Sequence, residues 1–129
     1  MIYLASPYTH SDPAIMELRY KWALEAVVRL MRKRISVYSP IVHNHFVAQA
    51  GEFPKGFDFW ERFDLEMVSL ADELWVLQIE GWEKSHGVQA ELKHAYTSGI
   101  PCRKLFVKDN SKDGYCTLPF TVFDSSKPT

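Results

Sequence analysis

Short apolar runs alternate with amphipathic helical segments along this chain, and that alternation limits the folds available to it. The apolar runs lie at 1–6, 35–39, 74–79 and 101–107. Between them, apolar residues recur three and four positions apart, a spacing typical of helices that cover a sheet. Strand–helix–strand order favours parallel strands joined by right-handed crossovers. We therefore expect an α/β fold: a single-domain, doubly wound parallel sheet of about five strands, with helices on both faces.

The helix signals are strong in some segments and weak in others. Asp12 followed by Pro13 is a typical helix start, and it predicts a helix from Pro13 to about Lys33. Further helices are expected at 58–71 and 87–97. The stretch 40–55 is expected to be irregular, with at most a turn of helix near 46–50. A fifth strand or a lid is expected at 115–123, with the domain ending at 124 and a frayed tail at 125–129.

Length and charge narrow the class of partner. A chain of 129 residues is expected to form one domain. Its 15 basic and 16 acidic residues give a net charge of −1, whereas nucleic-acid polymers and membrane surfaces attract proteins with a basic excess. No apolar run reaches the roughly 18 residues that span a bilayer. A small-molecule ligand is therefore expected, with neither nucleic acid nor membrane as a partner.

The cysteines and the first residues bear on compartment and cofactor. Cys102 and Cys116 have no metal-binding spacing and are expected to be reduced thiols. The N-terminus lacks the charged region of a signal peptide. Neither a Gly-rich dinucleotide fingerprint nor a P-loop occurs in the sequence. We expect a cytoplasmic protein that needs no cofactor.

The polar loop after the third strand, residues 80–91, is the strongest candidate for a binding site. Ser85 fits the N-cap of the following helix, whose first backbone N–H groups can bind an anion. Gly87 permits close approach of a ligand to the backbone. Glu91 lies one turn further on, where we expect the helix dipole to keep its carboxylate ionised. The alternative is ordinary capping by Ser85 with an exposed Glu91.

Two other polar loops are predicted to meet this one. In doubly wound sheets, ligands bind beyond the carboxyl ends of the strands. That rule gathers the loops at 6–10, 43–45 and 79–91 into one cleft. His43 and His45, two apart in an extended chain, would point the same way and suit a metal, but no third ligand is evident. Substrate hydrogen bonding or a polar rim is the better supported alternative.

Several further residues have both a structural and a functional interpretation. Asp64 shares a helix face with Trp60 and is either a solvated carboxylate or an inward group that contacts a sugar hydroxyl. Tyr3 is expected in the core, where its hydroxyl needs a partner such as Glu91. Trp82 either stacks on a base or caps the loop.

Several segments together resemble the nucleoside 2-deoxyribosyltransferase superfamily. They are Ile2–Tyr8, Phe63-Asp64 with the following 70–77, and Ser85–Glu91. Within that superfamily, residues 38–45 and 77–82 are similar to the small proteins of the DUF1937 family. The resemblance covers roughly residues 1–107, and its motifs are specific only in combination.

The resemblance implies a flavodoxin-like fold and cleavage of an N-glycosidic bond. In that scheme Glu91 is the nucleophile that forms a covalent glycosyl-enzyme, Tyr3 orients Glu91, and Asp64 contacts the sugar or helps protonate the departing base. It also implies a homodimer or larger homo-oligomer. The residues expected to bind substrate are Ser6, Tyr8, Arg19, His43, His45, Trp60, Gly81, Trp82, Ser85 and Gly87, with Arg19 either part of a phosphate site or a surface charge.

One departure from the transferase pattern bears on the substrate. The transferases carry an Asp where Ser85 stands, whereas the nucleoside 5′-monophosphate N-hydrolases have a similar Ser-x-Gly-Val arrangement. A serine at a helix N-terminus suits a phosphate, which an aspartate would repel. We therefore expect hydrolysis of a (deoxy)nucleoside 5′-monophosphate. The alternatives are deoxyribosyl transfer between bases, a non-catalytic nucleotide-binding protein, and a structural oligomer with a vestigial pocket.

Overall fold

The strands form one mixed sheet in the computed structural model, which describes residues 1–106 and 122–125. They are β1 (Ile2–Ala5), β2 (Val37–Tyr38), β3 (Glu73–Gln78), β4 (Cys102–Phe106) and β5 (Val122–Ser125), in the spatial order β2-β1-β3-β4-β5. Among these described strands, the first four run parallel and β5 is antiparallel to β4. The α/β class and the flavodoxin-like parallel arrangement are confirmed, and β1 lies between β2 and β3.

The last strand differs from the expectation. It lies at 122–125, and the remainder of the predicted strand at 115–121 falls outside the described residues. An antiparallel partner at the edge needs no crossover helix, so β5 can pair with β4 without one. Ser125, placed in the tail by the sequence, pairs with Cys102 in this strand. Cys102 is a buried thiol, and Cys116 lies outside the described residues.

The helices of the described residues include the three that were predicted, one at 40–43 that was not, and one at 45–51 that is longer than the expected turn near 46–50. They are α1 (Pro13–Arg32), α2 (Pro40–His43), α3 (His45–Gly51), α4 (Phe57–Leu70) and α5 (His86–Thr97), and a 3₁₀ turn lies at Trp82–Lys84. The expectation of an irregular stretch at 40–55 was wrong, because α2 and α3 occupy most of it. Ser39 caps α2 by accepting a hydrogen bond from the Val42 amide at 3.2 Å, and Pro40 takes the first helical position.

Two hydrophobic layers fix the helices to opposite faces of the sheet. On one face Leu4, Trp75 and Leu77 pack with Ala26, Val27 and Leu30 of α1. On the other face the alternate strand residues Tyr3, Leu74 and Val76 pack with Val68 of α4 and with Val88 and Leu92 of α5. The side-chain alternation along β1 and β3 therefore determines which helix covers which face.

This topology opens a crevice at the carboxyl ends of the parallel strands. The connection from β1 crosses one face to reach β2, and the connection from β3 crosses the other face to reach β4. The loops after β1 and β3 consequently diverge between these neighbouring strands, the place where doubly wound sheets bind ligands. Within the described residues, no helix is both long enough and apolar enough to cross a membrane.

Candidate active site

A cavity of about 700 Å³ lies in this crevice. The loop after β1 supplies Ser6 and Tyr8, and the β3–α5 connection supplies the run from Lys84 to Gly87 together with Glu91. Helices α1 to α4 and the segment between α3 and α4 supply the remaining wall, which includes Pro40, Asn44, His45, Phe57, Trp60 and Asp64. The three loops that the sequence placed at one edge therefore do converge.

Glu91 lines the cavity and forms a buried pair with Tyr3, which lies behind it in the core. Their residues are 4% and 0% exposed, and the Tyr3 hydroxyl donates to Glu91 Oε2. Burial raises the pKa of Glu91 well above its ordinary value; the Tyr3 hydrogen bond lowers it, and the nearby Asp64 raises it further. Burial, and then the Glu91 charge, likewise raises the pKa of the Tyr3 hydroxyl. The predicted Tyr3–Glu91 partnership is confirmed.

The expectation that the helix dipole dominates the pKa of Glu91 was wrong. Ser85 is the N-cap of α5, so Glu91 lies beyond the first turn, where the dipole effect has fallen off. The carboxyl is also removed from water, which disfavours its charged form. Desolvation therefore outweighs the dipole, and the alternative of an exposed Glu91 is excluded as well.

Asp64 faces inward, so the solvated interpretation was wrong. The residue is 6% exposed, and burial raises its pKa to about 7. It lines the cavity together with Trp60, as their spacing on α4 predicted. Among the described residues, Asp64 Oδ1 and the equally buried Ser6 Oγ have no hydrogen-bond partner. Buried polar atoms are usually bonded, so both oxygens are candidates for contact with a ligand.

The predicted cap of α5 is confirmed, and it leaves amides available at the cavity. Ser85 Oγ accepts a hydrogen bond from the Val88 amide at 3.3 Å. The amides of His86 and Gly87, at the first two helical positions, have no carbonyl within the helix to bind. A Cβ at Gly87 would lie 3.1 Å from the Phe57 ring, so a larger residue there would press on the cavity wall.

Arg19 and Gly81 lie at a neighbouring cavity of about 350 Å³. The Arg19 guanidinium donates to the carbonyl oxygens of Thr9 at 2.9 Å, Tyr8 at 3.4 Å and Glu80 at 3.4 Å. It thereby ties the loop after β1 to the loop after β3. Gly81 has φ 95°, and a Cβ there would collide with the guanidinium. Lys84 lines both cavities.

His43 and His45 are not arranged as the extended-chain pattern assumed, because they lie in two successive helices. His43 stacks on Tyr38, and its Nδ1 lies 3.0 Å from the Ser39 carbonyl oxygen. His45 stacks on Tyr20 with ring centroids 3.8 Å apart and lines the cavity. Among the described residues, no group of three His, Cys, Asp or Glu side chains is placed to hold a metal ion.

The two candidate tryptophans occupy different places. Trp60 lines the cavity, and its Nε1 donates to the Pro54 carbonyl oxygen at 2.7 Å. Trp82 packs against the core, and Lys104 Nζ lies 5.6 Å from its ring centroid. Its contacts therefore match the interpretation in which Trp82 caps the loop.

Sequence reasoning missed several residues of the cavity wall. Lys84 precedes the predicted N-cap, and its position in an anion-binding loop was a usable signal. Asn44 lies between two histidines that were considered, but it was not itself proposed. Phe57 and Glu17 reach the cavity only through the packing of α4 and α1, and no local pattern indicated them.

The arrangement brings two buried carboxyl groups to one cavity, where they are close enough for Asp64 to raise the pKa of Glu91. Two such groups do not ionise together easily near neutral pH, so they tend to hold one proton between them. Of the two carboxyl groups, only Glu91 accepts a hydrogen bond from a described residue, Tyr3. This bond favours the charged form of Glu91 and so favours placing the shared proton on Asp64. A carboxylate beside a carboxylic acid can perform nucleophilic and general-acid chemistry.

Comparison with known proteins gives a family but no activity. A search of curated proteins finds no match. The family model described as "Domain of unknown function (DUF1937)" matches residues 1–105, which include β1 to β3, α5 and almost all of β4. The chain therefore belongs to the DUF1937 family.

Proposed function

We propose that the protein hydrolyses the N-glycosidic bond of a (deoxy)nucleoside 5′-monophosphate through a covalent glycosyl-Glu91 intermediate. The observation that carries the proposal is that Glu91, buried and paired with Tyr3, lines the same cavity as the buried Asp64, whose Oδ1 has no partner among the described residues. A structural role alone gives no reason to place two carboxyl groups in a cavity, because burial of charge costs free energy. The resemblance to nucleoside 2-deoxyribosyltransferases assigns chemistry to the same residues.

In the first step the Glu91 carboxylate attacks the anomeric carbon. A C–O bond forms as the C–N bond breaks, and the bonding electron pair leaves with the base. Asp64, which holds the proton of the pair, protonates the departing base. The Tyr3 hydroxyl orients the carboxylate and stabilises its charge before the attack.

In the second step a water molecule attacks the same carbon and displaces Glu91. Asp64, now a carboxylate, accepts a proton from this water, so both carboxyl groups return to their starting states. The products are the free base and the sugar 5-phosphate. The sugar retains its anomeric configuration because it undergoes two displacements.

The β3–α5 connection supplies the proposed phosphate site. The free amides at the start of α5, the Ser85 hydroxyl and the Lys84 ammonium lie at one end of the cavity. Helix N-termini favour phosphate through both their N–H groups and their dipole. Ser85 in place of the transferases' aspartate supports a nucleotide substrate over a free nucleoside.

The test is chromatographic detection of free base from a panel of ribo- and deoxyribonucleoside 5′-monophosphates. Wild type is expected to release base from at least one of them, and Glu91→Gln is expected to lose at least about 10³-fold in rate. Glu66→Gln, an exposed carboxyl on α4 away from the cavity, is the matched control and should retain activity.

Added acceptor bases separate the alternatives. Formation of a new nucleoside or nucleotide would indicate a transferase. If no base is released under any condition but a nucleotide raises the melting temperature, the protein binds nucleotides without cleaving them. If no base is released and no nucleotide raises the melting temperature, the proposal is contradicted. The interpretation as a structural oligomer then remains.

A further inference from the structure

The side chain of Asn44 has a hydrogen-bond partner that its position at the start of a helix does not predict. It occupies the N-cap position of α3, where an asparagine normally caps its own helix, but its side chain makes no cap hydrogen bond. Its Nδ2 instead donates to the Tyr38 hydroxyl at 2.9 Å. The amide is therefore engaged with Tyr38 and not with the backbone of α3.

Tyr38 connects Asn44 to the Tyr3–Glu91 pair. It is the register partner of Tyr3 in the adjacent strand, and the two rings lie 5.8 Å apart between centroids. Tyr3 in turn donates to Glu91. Burial is the largest cause of the raised pKa of the Tyr38 hydroxyl, and both Asp64 and Glu91 contribute to that rise. The hydroxyl that holds Asn44 therefore lies within electrostatic reach of both carboxyl groups.

The bond to Tyr38 determines which atom of Asn44 remains for a ligand. Asn44 is half-buried and lines the cavity. With Nδ2 bonded to Tyr38, the carbonyl oxygen Oδ1 has no partner among the described residues, and it can only accept hydrogen bonds. The group that it suits is a hydroxyl or amine donor near the atom that Glu91 attacks.

We propose that Asn44 is a sugar-recognition residue, whose Oδ1 accepts a hydrogen bond from the 2′- or 3′-hydroxyl of the bound nucleotide. The inference rests on the proposed function, because the sugar is the part of the substrate that must lie at Glu91. Tyr38, whose ring packs against that of Tyr3, holds Asn44 by its amide. Tyr38 is a positioning residue that fixes the orientation of the amide.

The test compares kcat/KM of wild type and Asn44→Ala on nucleotides that differ by one hydroxyl. The substrates are the ribo-, 2′-deoxy- and 3′-deoxynucleoside 5′-monophosphates of the base that wild type releases fastest. Removing the acceptor is expected to cost roughly tenfold on substrates that carry the recognised hydroxyl. The analogue without that hydroxyl should be cleaved equally by both proteins, which also identifies the hydroxyl.

Two further variants separate recognition from a structural effect. Tyr38→Phe keeps the ring and releases Asn44, so it should show a smaller loss with the same dependence on the hydroxyl. Gln49→Ala removes a second amide of the cavity wall, one that interacts with His45, and should affect all three sugars alike. Melting curves for each variant establish that it is folded.

The inference and the proposed function fail in different ways. If wild type releases base but Asn44→Ala slows all three sugars equally, Asn44 is structural and the inference is overturned. If wild type releases no base, the proposed function fails, and the three sugar forms of the nucleotide that most raises the melting temperature are compared by the shift that they produce. A shift that does not depend on the hydroxyl in wild type, or that Asn44→Ala leaves unchanged, then overturns the inference.

Discussion

Asp64 and Glu91 are the residues whose ionisation has the largest expected consequences. Burial raises the pKa of both, because neither carboxylate reaches bulk water. A carboxyl group with a raised folded-state pKa stabilises the fold fully below its unfolded pKa. That contribution is lost as the pH rises through the folded pKa. The site therefore lowers the stability of the fold at neutral pH, as active sites often do.

Asp64→Asn is expected to stabilise the protein at neutral pH. An unfolded Asp titrates near pH 3.9, whereas the pKa of Asp64 in the fold is about 7. The free energy of unfolding of the variant should match that of wild type below about pH 4 and exceed it increasingly up to pH 7, by at most roughly 4 kcal/mol. Urea unfolding at a series of pH values measures this difference.

Asp72→Asn is the control, and its stability at neutral pH is expected to change in the opposite direction. The N-terminal ammonium lies 2.5 Å from Asp72 and lowers the pKa of this exposed carboxyl. Its contribution is present above the unfolded pKa and lost on acidification, so Asp72→Asn should lose stability at neutral pH. A gain for Asp72→Asn, or no gain for Asp64→Asn, would contradict the burial argument.

Tyr3→Phe is expected to shift the pH dependence of base release. The Tyr3 hydrogen bond lowers the pKa of Glu91 against the larger effect of burial, so its loss raises that pKa. The acidic limb of kcat/KM, which reports ionisation of the free enzyme, should move to higher pH. The variant should also lose about 1–3 kcal/mol of stability, because a buried carboxyl loses its donor. Tyr96→Phe, at an exposed tyrosine, should change neither the profile nor the stability.

The start of α5 is the element that combines a structural and a proposed binding role. Ser85→Ala removes the cap and should cost about 1 kcal/mol of unfolding free energy. Ser85→Asp keeps a capping acceptor but adds a negative charge. We expect Ser85→Asp to preserve the melting temperature and to lower the preference for a nucleoside 5′-monophosphate over its nucleoside. If the preference for the nucleotide over the nucleoside is unchanged, the phosphate does not bind at the start of α5.

The close approach of Arg19 to Gly81 links two loops. Its effect on the free energy of unfolding can be measured by comparing alanine substitutions at two glycines. Gly81 and Gly99 both have positive φ, but a Cβ would meet Arg19 only at Gly81. Gly99→Ala should cost about 1 kcal/mol from backbone strain, and Gly81→Ala should cost more. In the double variant Arg19→Ala with Gly81→Ala the extra cost should disappear, a coupling that a double-mutant cycle by urea unfolding measures. Additive costs would show that the two residues do not press on each other.

For the whole molecule, the fold was predictable where local signals agreed with the tertiary environment. The apolar alternation gave the order of strands and helices, and Asp12 and Ser85 cap α1 and α5 as their types predict. Ser39-Pro40 was an equally good signal for α2, but the polar and aromatic composition of the following residues obscured it. The antiparallel direction of β5 was not predictable, because a strand's direction depends on the path of the chain that precedes it.

The site was less predictable than the fold, because burial depends on contacts distant in sequence. Asp64 has the local pattern of a surface carboxylate, and only the packing of α4 over the sheet turns it inward. Arg19 was considered as a phosphate ligand, but its guanidinium contacts carbonyl oxygens of two loops that are far apart in the sequence. Asn44 has the local pattern of a capping residue and bonds across the cavity wall instead. The Tyr3–Glu91 pair was found because a buried hydroxyl requires a partner.

Ligand binding should stabilise the whole molecule independently of catalysis. A nucleotide that binds only the folded state, at a hundredfold excess over Kd, adds about 2.7 kcal/mol to the free energy of unfolding. Glu91→Gln preserves the shape of the cavity, so it should gain about as much as wild type when it cannot turn the nucleotide over. Thermal unfolding with and without nucleotide measures this gain. Stabilisation of neither protein would show that the cavity does not bind nucleotides.

The most direct test of the covalent mechanism is peptide mass spectrometry after acid quenching of enzyme mixed with the fastest substrate. The mechanism predicts a sugar phosphate attached to the peptide that contains Glu91, formed at a rate at least equal to turnover, and absent from Glu91→Gln. Base release by Glu91→Gln at the rate of wild type, with no adduct on either protein, would contradict it.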